Sequence, residues 1–147
     1  PKLTRASTSY SQRMVTQEFF AHESPDGGTL VDRLTSTGYL GHDDPWVVGE
    51  NIGWAQGDLA TPRSMVGAWM DSPGHRENLL SDDYTEVGLG LALGTPEDAS
   101  PGATYTTDFG AGTPRKRATS HVTCARAASK TRKTKACAAR SARARRR

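Results

Sequence analysis

The sequence predicts an α+β domain over residues 1–112 followed by a basic, disordered tail over 113–147, and three observations carry that reading. Apolar residues recur at three- and four-residue steps at the start of the chain, from Leu3 and Ala6 to Tyr10 and Met14. β-Branched and aromatic residues gather in short runs around Val48, Val87 and Tyr105. Charge then divides the chain: all 16 acidic residues lie between Glu18 and Asp108, whereas 13 of the 19 Lys and Arg residues follow Pro114. Residues 1–114 therefore carry a formal −10 and residues 115–147 carry +13. The net charge of +3 describes neither part and is no argument for nucleic-acid binding.

Arg5, Ser9, Gln12 and Arg13 separate the apolar stripe of the first segment, which makes it an amphipathic helix ending near Glu18. "SPDGG", Ser24 to Gly28, is turn chemistry, with Pro at the second position and Asp-Gly behind it. Thr29 with Asp32 three residues on predicts a capping box, and Leu30, Val31 and Leu34 a short helix to Thr37 that Gly38 terminates. "WVVGENIGW", Trp46 to Trp54, reads as a strand in which Gly49 and Gly53 mark bulges or close backbone approach. Alternation puts Val48, Glu50, Ile52 and Trp54 on one side. Thr61-Pro62 opens a third helix with Met65, Val66, Trp69 and Met70 inward, and Ser72-Pro73 stops it and starts a fourth. In "YTEVGLGLAL", Tyr84 to Leu93, large apolar residues alternate with Glu86, Gly88, Gly90 and Ala92, so one face is bare enough for a neighbour to sit close. "ATYTTDFG", Ala103 to Gly110, is the last strand.

From Arg115 onward Leu, Ile, Phe, Tyr, Trp, Met, Gly and acidic residues are all missing, so nothing there can build a core. Both cysteines, Cys124 and Cys137, fall in this tail, which leaves the folded part without a disulfide or thiolate site. No apolar run approaches the roughly 18 residues of a membrane span. The chain opens on Pro1, already in helical pattern, and reads as a fragment without its export signal.

Three side chains stand out as chemistry. His75 falls in the first turn of a helix that begins at Ser72-Pro73, where the positive end of the dipole disfavours imidazolium. A neutral imidazole suits a metal ligand, a hydrogen-bond acceptor or a general base, although one His alone is more often a packed, satisfied residue. Glu50 puts a carboxylate on an apolar strand face, where it must be paired, protonated or bound to a cation; Arg33 and Arg76 are the candidate partners. His22 follows Phe19 and Phe20 and emerges from an apolar wall or an exposed loop. His42 and His121 have turn-like or disordered surroundings and are set aside. "WMDSPGHR" suggests a Ser72, His75 and Asp71 triad, but residues so close along consecutive helical turns align poorly.

Taken in order, "FFAHESPDG", "GYL", "GENI", "AWMDSPGHRENLL", "YTEVGLGLA" and "YTTDFG" resemble the bacterial, cysteine-poor branch of the superfamily of cysteine-rich secretory, antigen 5 and pathogenesis-related 1 proteins. The match runs from about Leu3 to Gly110. The resemblance implies an α-β-α sandwich with a small, mainly antiparallel sheet between helical layers, an extracellular or cell-envelope location and a central cleft. It implies that His22, Glu50, Asn51 and His75 line that cleft, and that His22, Glu50 and His75 hold a divalent metal, with Zn²⁺ favoured because two imidazoles and a carboxylate make an open zinc site. Two departures matter: a further family glutamate and a histidine correspond here to Ser72 and Asp83, so the eukaryotic ligand set is not intact.

The expected function is a binding module for a small-molecule, lipid or cell-envelope ligand. The alternatives are a metal-assisted or Glu/His-dependent hydrolase of peptide or envelope polymer, and polyanion binding through the tail. That tail reads either as a genuine polycation or as the product of a gene translated past its end or out of frame.

Overall fold

Helix α1, Lys2–Thr16, buries its predicted stripe of Leu3, Ala6, Tyr10 and Met14, with Ser7 and Ser11 on the same face. The computed structural model describes residues 1–41, 45–97 and 101–111, so His42, His121, both cysteines and the basic tail lie outside the described residues. Helix α2, Leu30–Ser36, begins at the expected capping box: the Asp32 amide donates to Thr29 Oγ1 at 3.3 Å and the Thr29 amide donates to Asp32 Oδ2 at 2.9 Å. Gly38, at φ 72°, lets the chain turn away after it. Leu34 and Leu40 close against Leu3 and Ala6, which fixes α2 beside α1.

Strands β1 (Val47–Gln56), β2 (Glu86–Leu93) and β3 (Gly102–Ala111) form one antiparallel sheet in the order β1-β3-β2. β1 and β3 pair without interruption from Val47 opposite Ala111 to Gln56 opposite Gly102. Gly49 and Gly53 therefore mark no bulge; they admit neighbours. A Cβ at Gly49 would strike the Tyr84 hydroxyl, and one at Gly53 would lie 2.5 Å from Met65 Sδ.

Helix α3, Pro62–Asp71, follows a short 3-10 turn at Gly57–Ala60 and is capped by Thr61 Oγ1, which accepts from the Ser64 amide at 3.2 Å. Met65 and Trp69 are buried against β1. Val66, expected inward, is exposed, because α3 covers β1 and leaves β2 open. Helix α4, Pro73–Leu80, continues after Ser72. With α1 on one face of the sheet and α3 and α4 on the other, the layers are α-β-α.

β2 shows how the first layer seats. Gly88, Gly90 and Ala92 are buried, and a Cβ at Gly88 or Gly90 would overlap the backbone of Leu3 or Ser7. The bare face thus brings α1 into contact with the sheet, as the sequence predicts. Ser7 Oγ comes within 3.1 Å of the Gly88 carbonyl through this closeness, and Ser11 Oγ donates to Thr106 Oγ1 at 2.9 Å. The opposite face, with Leu89 and Leu91, borders a groove of about 260 Å³ shared with Val66 and Trp69.

Candidate functional site

β1 is an edge strand, and its alternation sends Glu50 toward α1 and α2 and Asn51 toward α4. Glu50 is buried, and both of its oxygens are engaged: Oε1 meets His22 Nδ1 at 2.8 Å and Oε2 accepts from Arg33 Nη2 at 2.5 Å. Of the two arginines that could pair with it, Arg33 does so. Arg33 also donates through Nη1 to the His22 carbonyl at 3.1 Å, and its guanidinium lies 3.4 Å from the centroid of the Tyr10 ring. Burial raises the Tyr10 hydroxyl to about 12, so it stays protonated and donates to the Ala21 carbonyl at 2.7 Å. The hydrogen bond to Glu50 raises the His22 pKa above its ordinary value, against the opposing effect of partial burial.

Asp108 stands opposite Glu50 on β3 and is fully buried. Burial first, and then the charge of Glu50, pushes its carboxyl up to about 7. Ser7 Oγ donates to Asp108 Oδ2 at 2.8 Å. Reading the sequence for histidines and for "GENI" missed this residue. Its signal was present in the alternation of "YTTDFG", where Asp108 shares a face with Thr104 and Thr106 rather than with Tyr105 and Phe109.

His75 occupies the first turn of α4, as expected, with Nδ1 2.9 Å from Ser72 Oγ. Ser72 accordingly makes no side-chain bond to the helix backbone. The imidazole pKa is lowered, first by burial and then by the charge of His22. The ring is neutral as the sequence predicts, but through burial and the neighbouring His22 rather than through the helix dipole. Ser72 and His75 do meet despite their closeness in sequence, whereas Asp71 is exposed and forms no bond to His75.

Asn51, expected in the cleft lining, bonds inward. It is fully buried, its Nδ2 donates to the His75 carbonyl at 3.0 Å, and its Oδ1 accepts from Asn78 Nδ2 at 2.9 Å. Its amide holds α4 to β1 and so positions His75.

Beside His75, at the outer edge of β1, is a cavity of about 460 Å³. Ile52 and Trp54 of β1 and Met65 and Trp69 of α3 line it, together with Phe20 and Leu59, both exposed. Ser64, Ser72 and His75 contribute the polar part of the lining. Trp69 Nε1 donates to the Ile52 carbonyl at 3.1 Å, so that ring is fixed.

Among the described residues no group of three or more His, Cys, Asp or Glu side chains is placed to hold a metal ion. The open zinc site expected of His22, Glu50 and His75 is therefore not assembled: Glu50 spends its oxygens on His22 and Arg33, and His75 turns Nδ1 to Ser72. The residues present do not fit the group.

Fold and site together define a three-layer domain whose edge strand divides a buried charge cluster from an apolar cavity. The model of the cysteine-rich secretory protein (CAP) family matches residues 1–109, and the chain belongs to that family. It is 36% identical over 88 residues to the uncharacterized protein YkwD and 39% identical over 82 residues to the uncharacterized membrane protein YlbC, both of Bacillus subtilis. These alignments take in 60% and 56% of this chain but 32% and 22% of the relatives, so the chain spans about a third of their length or less. An extracellular protein with an SCP domain from Bacillus anthracis superposes with a TM-score of 0.57 at 29% identity, over 74% of this chain and 31% of that one. An outer surface protein of Borrelia burgdorferi superposes with a TM-score of 0.59 over 74% and 72% of the two chains; at 17% identity it shows the fold alone. No described helix is long and apolar enough to cross a membrane.

Proposed function

We propose that this domain is an extracellular binding module whose cavity beside His75 takes the apolar part of an amphiphile with an uncharged polar head, such as a lipid or a lipid-linked envelope component. One observation carries the reading: the cavity joins a rigid aromatic and aliphatic wall to the small polar cluster of Ser72 and His75. Exposed Phe20 and Leu59 in its lining are the large apolar surface that marks such a site. Because burial keeps His75 neutral, it offers a hydrogen bond rather than an ionic partner, which suits a hydroxyl-bearing head. The extracellular assignment rests on the SCP-domain protein of Bacillus anthracis.

The test is titration with monomeric octyl glucoside, followed by tryptophan fluorescence, since Trp54 and Trp69 both line the cavity. A saturable change is expected, weakened about tenfold in Leu59→Asp, where an exposed residue of the lining gains a charge. A response unchanged by Leu59→Asp would sink the reading.

The bond between Ser72 and His75 favours a second reading, a hydrolase in which the neutral imidazole acts as base on the Ser72 hydroxyl. Hydrolysis of activated esters that disappears in Ser72→Ala while octyl glucoside binding persists would select it.

A further inference from the structure

We propose that the groove between α1 and α2 binds the phosphate ester of a polyol, at a site separate from the cavity beside His75. The groove has a volume of about 330 Å³ and shares no lining residue with that cavity. α1 contributes Arg5, Ser9 and Arg13, one residue every four along one side of the helix, and α2 and the residue after it contribute Arg33, Ser36 and Thr37.

Charge makes this groove an exception in the domain. Residues 1–114 contain six basic and 16 acidic side chains, yet three of the six line this groove and no acidic residue does. Arg33 is committed to Glu50 and to the His22 carbonyl, so it contributes field rather than free donors. Among the described residues Arg5 is bound only through Nη2, which donates to the Thr37 carbonyl at 2.6 Å. Arg13 bonds Gln17 through Nε at 3.0 Å and Asp26 through Nη2 at 2.9 Å; Asp26 is exposed and outside the lining. Arg5 Nε and Nη1 and Arg13 Nη1 have no partner among the described residues and are donors for an oxyanion, for which guanidinium is well shaped.

The hydroxyls say what the anion is attached to. Ser36 Oγ donates its proton to the Arg33 carbonyl at 2.7 Å, and Thr37 Oγ1 donates to the Leu34 carbonyl at 3.0 Å. Their protons point into the helix, which leaves oxygen lone pairs to accept from ligand hydroxyls. Guanidinium donors beside hydroxyl acceptors match a phosphate carried on a polyol better than a bare ion.

The experiment is residue-resolved amide NMR of the full chain, titrated with glycerol 1-phosphate at physiological ionic strength, where loose surface attraction is screened. Saturable shifts are expected at Ser9, Ser36 and Thr37, with affinity at least about fivefold above that for inorganic phosphate and no response to glycerol. Arg13→Gln should weaken binding about tenfold. Ser9→Asp, at a position on the groove side of α1 that does not threaten the fold, should abolish it. Phosphatidylglycerol vesicles that broaden the same signals would identify a lipid head group as the source; a response to the soluble ester only would identify a free or polymer-borne phosphate. Shifts confined to residues 115–147, shifts that never saturate, or affinity untouched by Arg13→Gln and Ser9→Asp would overturn the proposal. Equal affinity for inorganic phosphate would overturn its polyol half.

Discussion

On the α1 and α2 side of β1, Glu50 is buried with a partner on each oxygen, and Arg33, His22 and Asp108 close around it. On the α3 and α4 side, His75 has one ring nitrogen on Ser72 and stands beside an apolar cavity that opens to solvent. The same strand thus separates polar groups that mostly bond one another, with Arg33 Nε and Asp108 Oδ1 left over among the described residues, from apolar walls that nothing described covers. A buried charge cluster with its partners in place has little left to offer a ligand, whereas an open aromatic wall gains from being covered. The residues that look most chemical in the sequence therefore sit on the side that is already closed.

Breaking the closed side should have the largest effect. Glu50→Ala strands the Arg33 guanidinium in a buried position and should cost about 4 kcal/mol in urea unfolding. A loss under about 1 kcal/mol would mean that water already reaches Arg33. Trp69→Ala, on the open side, removes a buried ring from the cavity wall and should cost about 3 kcal/mol, because an already open cavity gives the neighbours nothing to collapse onto.

Asp108 gives a pH test of the closed side. Its folded pKa is raised from 3.8 to about 7, so the folded state holds a proton that the unfolded state releases. Stability from this group is complete below about pH 4 and falls as pH rises toward 7. Asp108→Asn should raise stability near pH 8 by on the order of 2 kcal/mol and change it little near pH 4. Equal effects at both pH values would show that Asp108 is ionised throughout.

The smallest effect should come from metal. With Glu50 occupied by His22 and Arg33, Zn²⁺ near pH 7.5 should raise the melting temperature by less than about 1 °C. A larger rise, abolished by His75→Ala, would mean that the cluster rearranges around a cation.

Much of the fold was legible in the sequence because local rules governed it. The Thr29 capping box, the stop at Gly38, the Thr61-Pro62 helix start and the Ser72-Pro73 break all appear where side-chain chemistry puts them. The bare face of β2 announced a close neighbour, although not that its leucine face would stay open, which depends on where α3 crosses. Val66 was misplaced for the same reason: helical periodicity gives a stripe, and the width of that stripe actually covered is a tertiary fact. The site was legible as a set of residues rather than as an arrangement. His22, Glu50 and His75 stood out, but a spacing in sequence does not say that Glu50 takes Arg33 rather than Arg76 or that Asn51 turns inward to α4. Alternation marked the face of Asp108, but its place opposite Glu50 needed the register of β1 against β3.

The most direct measurement follows the imidazole rings of His75 and His22 and the indoles of Trp54 and Trp69 by NMR while octyl glucoside is added below its micellar concentration. A binding module open on one side of β1 predicts saturable shifts at His75, Trp54 and Trp69 that are much larger than any at His22, whose charge His75 senses. Shifts at His22 with His75 and the tryptophans still would contradict it, because the ligand would then be entering the side that Glu50 and Arg33 close.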